Sequence, residues 1–183
     1  MTAASNFLAT LCSRLGLGLA VLVLALWAPR AMAVPLDLET GVCHATSGVG
    51  VPDGKLSPQR FSCSGTPTAY QQGSLWLRAP LDGPEAQRGD VALMVHQSRF
   101  DRLAVGFSYA DGVTRWEHVE AGDYGSHWRV GGQILFDAPD RSAPLTSVTM
   151  RFDRLASHQL LHARMVPKAK AGMQSAGMAA AVG

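Results

Sequence analysis

Leu103-Ala104-Val105-Gly106-Phe107-Ser108-Tyr109-Ala110-Asp111-Gly112-Val113-Thr114-Arg115-Trp116-Glu117-His118-Val119 is the stretch on which the fold turns. From Leu103 to Tyr109 the large apolar side chains occupy every second position, so in extended backbone they share one face. Asp111-Gly112 reads as a two-residue hairpin turn, since both residue types tolerate positive φ. The chain then returns through Thr114 to Val119, with Trp116 and His118 on one face and Arg115, Glu117 and Val119 on the other. This is the pattern of an antiparallel strand pair.

The same grammar extends in both directions. Leu75 to Arg78 alternates after the Gly73-Ser74 break, and Val91 to His96 is mostly apolar after a loop from Pro84 to Asp90. Downstream, Gln133 to Phe136 follows Gly131-Gly132, and Ser147 to Phe152 with Gln159 to Val166 reads as the last strand pair. No 3.6-residue apolar stripe persists between residues 75 and 166. About eight short antiparallel strands at this spacing predict an all-β domain, a β-sandwich or jelly roll.

One hexapeptide occurs twice: Arg99-Phe100-Asp101-Arg102-Leu103-Ala104 and Arg151-Phe152-Asp153-Arg154-Leu155-Ala156. Both copies fall where one strand meets the next segment. A corner in which Phe plugs the core while flanking arginines or loop amides hold Asp is the structural reading. Charged lips around a ligand site are the functional one.

The N-terminal part has a different character. Arg14 is the only charge before the apolar run Leu15 to Trp27, and Ala31-Met32-Ala33 ends the region. A weakly positive start, a short apolar core and an A-x-A site predict a signal peptide, residues 1–33, cut after Ala33, and hence a periplasmic protein. An uncleaved anchor is the alternative. Cleavage removes Arg14, Arg30 and Cys12. Fourteen basic residues then face fourteen acidic ones, which gives no reason to expect nucleic acid or an anionic surface as partner.

Cleavage also leaves two cysteines, Cys43 and Cys63. In an oxidising compartment the pair reads as a disulfide closing a loop of about 20 residues, worth roughly 3 kcal/mol in chain entropy. Free thiols or a metal pair are the alternative, without the C-x-x-C spacing a metal favours. The organisation expected is a disulfide-closed segment at 34–74, a sandwich at 75–167 and a small-residue tail at 168–183. That tail is composed like the entrance to a membrane helix.

Chemistry is sparse. There is no G-x-S-x-G, Gly-rich phosphate loop or H-E-x-x-H, so neither a cofactor nor an enzyme activity is expected. His158 and His162 are four apart, but their segment reads as a strand without a nearby carboxylate, so they are taken as structural and no metal is expected. Asp137 and Asp140 read as turn residues around Pro139. Aromatic side chains are more informative. Tyr109, Trp116, Tyr124 and Trp128, with Asp111, Asp123, His127 and Arg129, gather around the hairpin and the 122–132 segment. They form either core or a platform for sugars and other flat polar molecules.

Leu75-Trp76-Leu77-Arg78, Phe100-Asp101-Arg102-Leu103, Tyr109-Ala110-Asp111-Gly112, Gly122-Asp123 and Met150-Arg151-Phe152 together carry a resemblance. The chain resembles the extracytoplasmic jelly-roll sensor domain of bacterial seven-transmembrane receptors with diverse intracellular signalling modules. More narrowly, the Cys43–Cys63 loop followed by Leu-Trp-Leu-Arg is similar to regions N-terminal to membrane-bound GGDEF diguanylate cyclases. The similarity spans roughly residues 41 to 167. It implies a carbohydrate-binding-module-like sandwich that senses a small ligand outside the membrane and signals through helices to a cytoplasmic output domain. Neither those helices nor the output motif lies within these 183 residues, so cyclase activity is not carried over. A free-standing secreted carbohydrate-binding protein is the alternative. The expected partners are a small ligand, the membrane only through C-terminal helices, and a second copy of the chain in a homodimer.

Overall fold

The structure, a computed structural model, describes residues 36–37, 41–56, 60–81, 89–96, 98–169 and 171. The expected signal segment, 1–33, and the tail from residue 172 lie outside the described residues. The strands are β1 (Leu36–Asp37), β2 (Cys43–Ser47), β3 (Ser74–Pro80), β4 (Val91–His96) and β5 (Arg102–Tyr109). There follow β6 (Thr114–Glu120), β7 (Trp128–Arg129), β8 (Gln133–Asp137), β9 (Leu145–Asp153) and β10 (Ala163–Pro167). Single 3-10 turns occur at Gly125–His127 and His158–Leu160.

Two antiparallel five-stranded sheets form, in the orders β1-β10-β4-β8-β7 (sheet A) and β2-β3-β9-β5-β6 (sheet B). The chain crosses between sheets at every connection except β2–β3, β5–β6 and β7–β8. β2 and β7 only extend the sheet edges. The remaining eight strands, four to a sheet, have the connectivity of a jelly roll. The fold class expected from alternation is therefore the fold observed. Segments before residue 75 belong to it, because β1 pairs with β10 and β2 pairs with β3.

The core is what alternation makes of two facing sheets. Leu103, Val105, Phe107 and Tyr109 of β5 point inward beside Val148, Met150 and Phe152 of β9. Leu93 and Val95 of β4, Ile134 and Phe136 of β8, and Met165 of β10 close the core from sheet A. Each large side chain taken fully out of water contributes about 1.5–3 kcal/mol of transfer free energy. A smaller apolar cluster of Ala92, Met94, Leu135 and Val166 is completed by Ala171. The chain turns helical just after β10, and Ala171 packs against this cluster rather than fraying.

Three local expectations need correction. Asp111-Gly112 is not a two-residue turn: Gly112 N–H donates to Tyr109 O, Tyr109 N–H donates to Val113 O, and only Gly112 has positive φ. The loop is thus three residues, a turn plus a left-handed glycine that absorbs the bulge. β9 and β10 are not a pair, since they lie in different sheets. Residues 158–160 form a 3-10 turn, so β10 begins only at Ala163. The apolar run there buries Leu161 from a loop, which alternation alone does not distinguish from a strand.

The repeated hexapeptide pairs with itself. Arg102 faces Asp153, Leu103 faces Phe152, and Ala104 faces Arg151, so the second half of one copy meets the first half of the other in mirror order. Just beyond the ladder, Arg154 reaches Asp101 at 3.1 Å. Phe100 and Phe152 are both buried, edge to face, with ring centroids 5.7 Å apart. The Phe plugs and the Arg-held Asp residues are those of the corner reading.

Candidate functional site

The eight aromatic and polar residues singled out in the sequence do not form one cluster; the fold sends them to three places. Tyr109 and Asp111 fasten the end of the β5–β6 hairpin. Tyr109 is buried and its hydroxyl donates to Pro139 O at 2.6 Å, while the Arg141 guanidinium lies over its ring at 5.3 Å. Burial pushes the Tyr109 phenol up. Asp111 accepts from Val113 N–H and pairs with Arg141, whose hydrogen bond is the main cause holding its carboxyl low. These two residues secure the turn at the end of the hairpin.

Trp116 belongs to the outer face of sheet B. Its ring lies on Gly106, where an added Cβ would come within 2.7 Å of it, and meets Trp76 edge-on at 6.4 Å. Trp76 is only 1% exposed although it points away from the core. Its indole N–H donates to Ser47 Oγ, and residues 51–54 of the disulfide-closed segment cross this face as a strap, with Gly54 against the Trp116 ring. Asp53 of the strap reaches Arg151 at 2.7 Å and Arg102 at 3.2 Å, and Val51 O accepts from Arg151 at 2.6 Å. Arg151 also holds Asp153 at 3.0 Å and lies over the Trp76 ring. Ser74 Oγ donates to the second Asp153 oxygen at 2.6 Å. Cys43 and Cys63 are bonded and anchor the strap at both ends. Asp53 was missed in the sequence, where it is one polar residue in a Gly- and Pro-rich stretch. The available signal was Gly106, a glycine in a strand interior that marks a close approach.

Asp123, Tyr124, His127, Trp128 and Arg129 do come together, in the connection from β6 to β8. Tyr124 and Trp128 stack with centroids 5.2 Å apart and planes 19° from parallel. Phe100 supports the Tyr124 ring from its edge. Trp128 is 41% exposed, unusual for so large an apolar ring and a sharp contrast with Trp76. The stack is positioned by the short β7–β8 hairpin, which pairs Trp128 with Ile134, and by the 3-10 turn before it. Arg129 folds back to cap that turn, donating to Ser126 O and Trp128 O. His127 packs on Phe136, with centroids 4.5 Å apart. Its Nδ1 faces Leu135 O at 2.9 Å; a carbonyl can only accept, so Nδ1 carries a proton and Nε2 turns toward Glu117.

Two open clefts flank Tyr124. One, of about 590 Å³, is lined by Arg99, Phe100, Asp101 and Arg154 among others. The other, of about 480 Å³, is lined by His118, Glu120, Asp123, Ser126 and His127. Charged and hydrogen-bonding groups therefore flank the Tyr124 ring on both sides, next to the exposed Trp128 stacked on it. That arrangement can stack a ring and hydrogen-bond its substituents. Among the described residues, no group of three or more His, Cys, Asp or Glu is placed to hold a metal ion. No described helix is long and apolar enough to cross a membrane.

No family model matches the sequence. Among solved structures, Pseudomonas aeruginosa AlgX aligns with a TM-score of 0.30 and 17% identity, over 48% of this chain and 22% of that one. So slight a likeness has no bearing on what this chain binds.

Proposed function

We propose that this chain is an extracytoplasmic ligand-binding jelly roll, the sensory part of a membrane-bound signalling protein of the diguanylate cyclase type. Its ligand is a flat polar molecule, carbohydrate first among them, held on the Tyr124–Trp128 stack and bound without turnover. One observation carries the binding half of this reading: a large indole face is left in solvent, braced from behind by Tyr124, and clefts rich in hydrogen-bonding groups open on either side of that second ring. Sugars dock on such faces through their C–H surfaces while neighbouring polar groups read the hydroxyls. The disulfide fits an oxidising compartment, as export beyond the inner membrane requires.

Titrating the oxidised protein with a panel of neutral and acidic oligosaccharides, followed by tryptophan fluorescence, tests the platform. Binding by the wild type and a loss of roughly tenfold or more in Trp128→Ala are expected, the scale of a lost aromatic anchor at a binding hot spot. Unchanged glycan binding in a folded Trp128→Ala protein, or no binding by the wild type, sinks the platform.

A further inference from the structure

A different cavity, of about 400 Å³, opens between the two sheets on the side where β2 edges sheet B and β10 begins. Its floor is apolar: Val42, Leu77, Met150, Leu161 and Ala163. Leu77 and Met150 are neighbours across β3 and β9, so the floor continues into the sandwich core. The rim is polar, with His44, Thr66, His158, Gln159 and His162, and neither an acid nor a lysine or arginine stands among its described residues.

The rim is also oriented. Tyr70 is buried, and its hydroxyl accepts from His158 N–H at 2.9 Å. The same hydroxyl lies 2.9 Å from His158 Nδ1, where it donates its proton when the neutral ring is the Nε2–H tautomer. That tautomer leaves Nε2–H of His158 as a donor toward a ligand. With imidazole, hydroxyl and amide groups on the rim and no carboxylate among its described residues, the mouth suits an acceptor-rich head above an apolar tail. Volumes of this order suit small ligands.

We propose that this inter-sheet cavity is a second ligand site, for a small monocarboxylate with an apolar chain or ring. The carboxylate rests among His158, His162 and His44, and the apolar part lies against Leu77 and Met150. His158 and His162, read as structural in the sequence, are then binding residues, and Tyr70 is a positioning residue that sets the His158 tautomer.

The probe is hexanoate, with 1-hexanol as its uncharged counterpart, followed by the imidazole resonances of the oxidised protein. Saturable shifts of His158 and His162 are expected in the millimolar range, with hexanol about tenfold weaker, the difference between a charged and a neutral hydrogen-bond acceptor. His162→Leu, at an exposed position, should weaken hexanoate about fivefold or more. His158→Leu should do so by at least as much, and if that variant fails to fold His162→Leu alone decides. Tyr70→Phe should move the nitrogen shifts of His158 toward the other tautomer. The proposal is overturned by no saturable shift up to about 10 mM hexanoate, well above the affinity such a site should reach. Equal binding of hexanol, or unchanged binding in His162→Leu, overturns it as well.

Discussion

Two tryptophan-bearing surfaces of this jelly roll invite comparison. On the outer face of sheet B, Trp76 and Trp116 lie beneath a strap whose Asp53 joins Arg151 and Arg102, and the aromatic rings are packing material. On the β6–β8 connection, Trp128 is 41% exposed, with Tyr124 stacked behind it. Residue type is the same in both places, and so is the nearby mix of Arg and Asp. What differs is cover. The first surface buries the Trp76 indole beneath other parts of the chain, whereas the second leaves the Trp128 ring exposed.

Arg151→Ala should produce the largest effect. Its guanidinium is 3% exposed and partners Asp153, itself buried, so truncation leaves an uncompensated carboxylate. A loss of about 3–5 kcal/mol is expected in urea denaturation. Trp128→Ala, used as the contrasting variant, should cost less than about 1 kcal/mol because its ring is already largely wet. Similar costs for the two would erase the distinction between covered and open surfaces.

A smaller effect should follow from replacing both Cys43 and Cys63 with Ser. The closed loop contributes about 2–4 kcal/mol through the unfolded chain. Loosening the strap should also shift the Trp76 and Trp116 emission to the red. Stability loss with an unchanged spectrum would mean that the Asp53 pairs with Arg151 and Arg102 hold the strap without the disulfide.

The smallest effect concerns Asp111, which secures the hairpin and neither surface. Its carboxyl is held below the ordinary aspartate range chiefly by the Arg141 hydrogen bond. A folded-state value lower than the unfolded one contributes stability above the unfolded value, and that stability is lost as pH falls through the folded value. Asp111→Asn should therefore be slightly less stable than wild type at neutral pH, with the difference vanishing in strong acid. A difference that grows as pH falls would contradict this sign.

How much of this was legible beforehand follows from the range of each interaction. Alternation at Leu103–Tyr109 and the apolar run Val91–His96 are local, and both became strands at nearly those bounds. The cysteine pair was legible once the expected cut after Ala33 set Cys12 aside and left Cys43 and Cys63 only each other. The candidate site was half legible: Tyr124 to Arg129 stayed together because they are close in sequence, while Tyr109, Asp111 and Trp116 were drawn elsewhere by partners such as Arg141 and Gly106. No periodicity foretells that Asp53 will find an arginine about a hundred residues away.

The sequence by itself determined that pleated strands would bury one face, because side-chain direction alternates every residue whatever the rest of the chain does. Tertiary structure alone decided which strands became neighbours, which outer face was covered and which indole stayed in solvent. Those outcomes depend on the crossing of β-strands between two sheets, which brings distant residues into contact and is written in no single stretch of the chain.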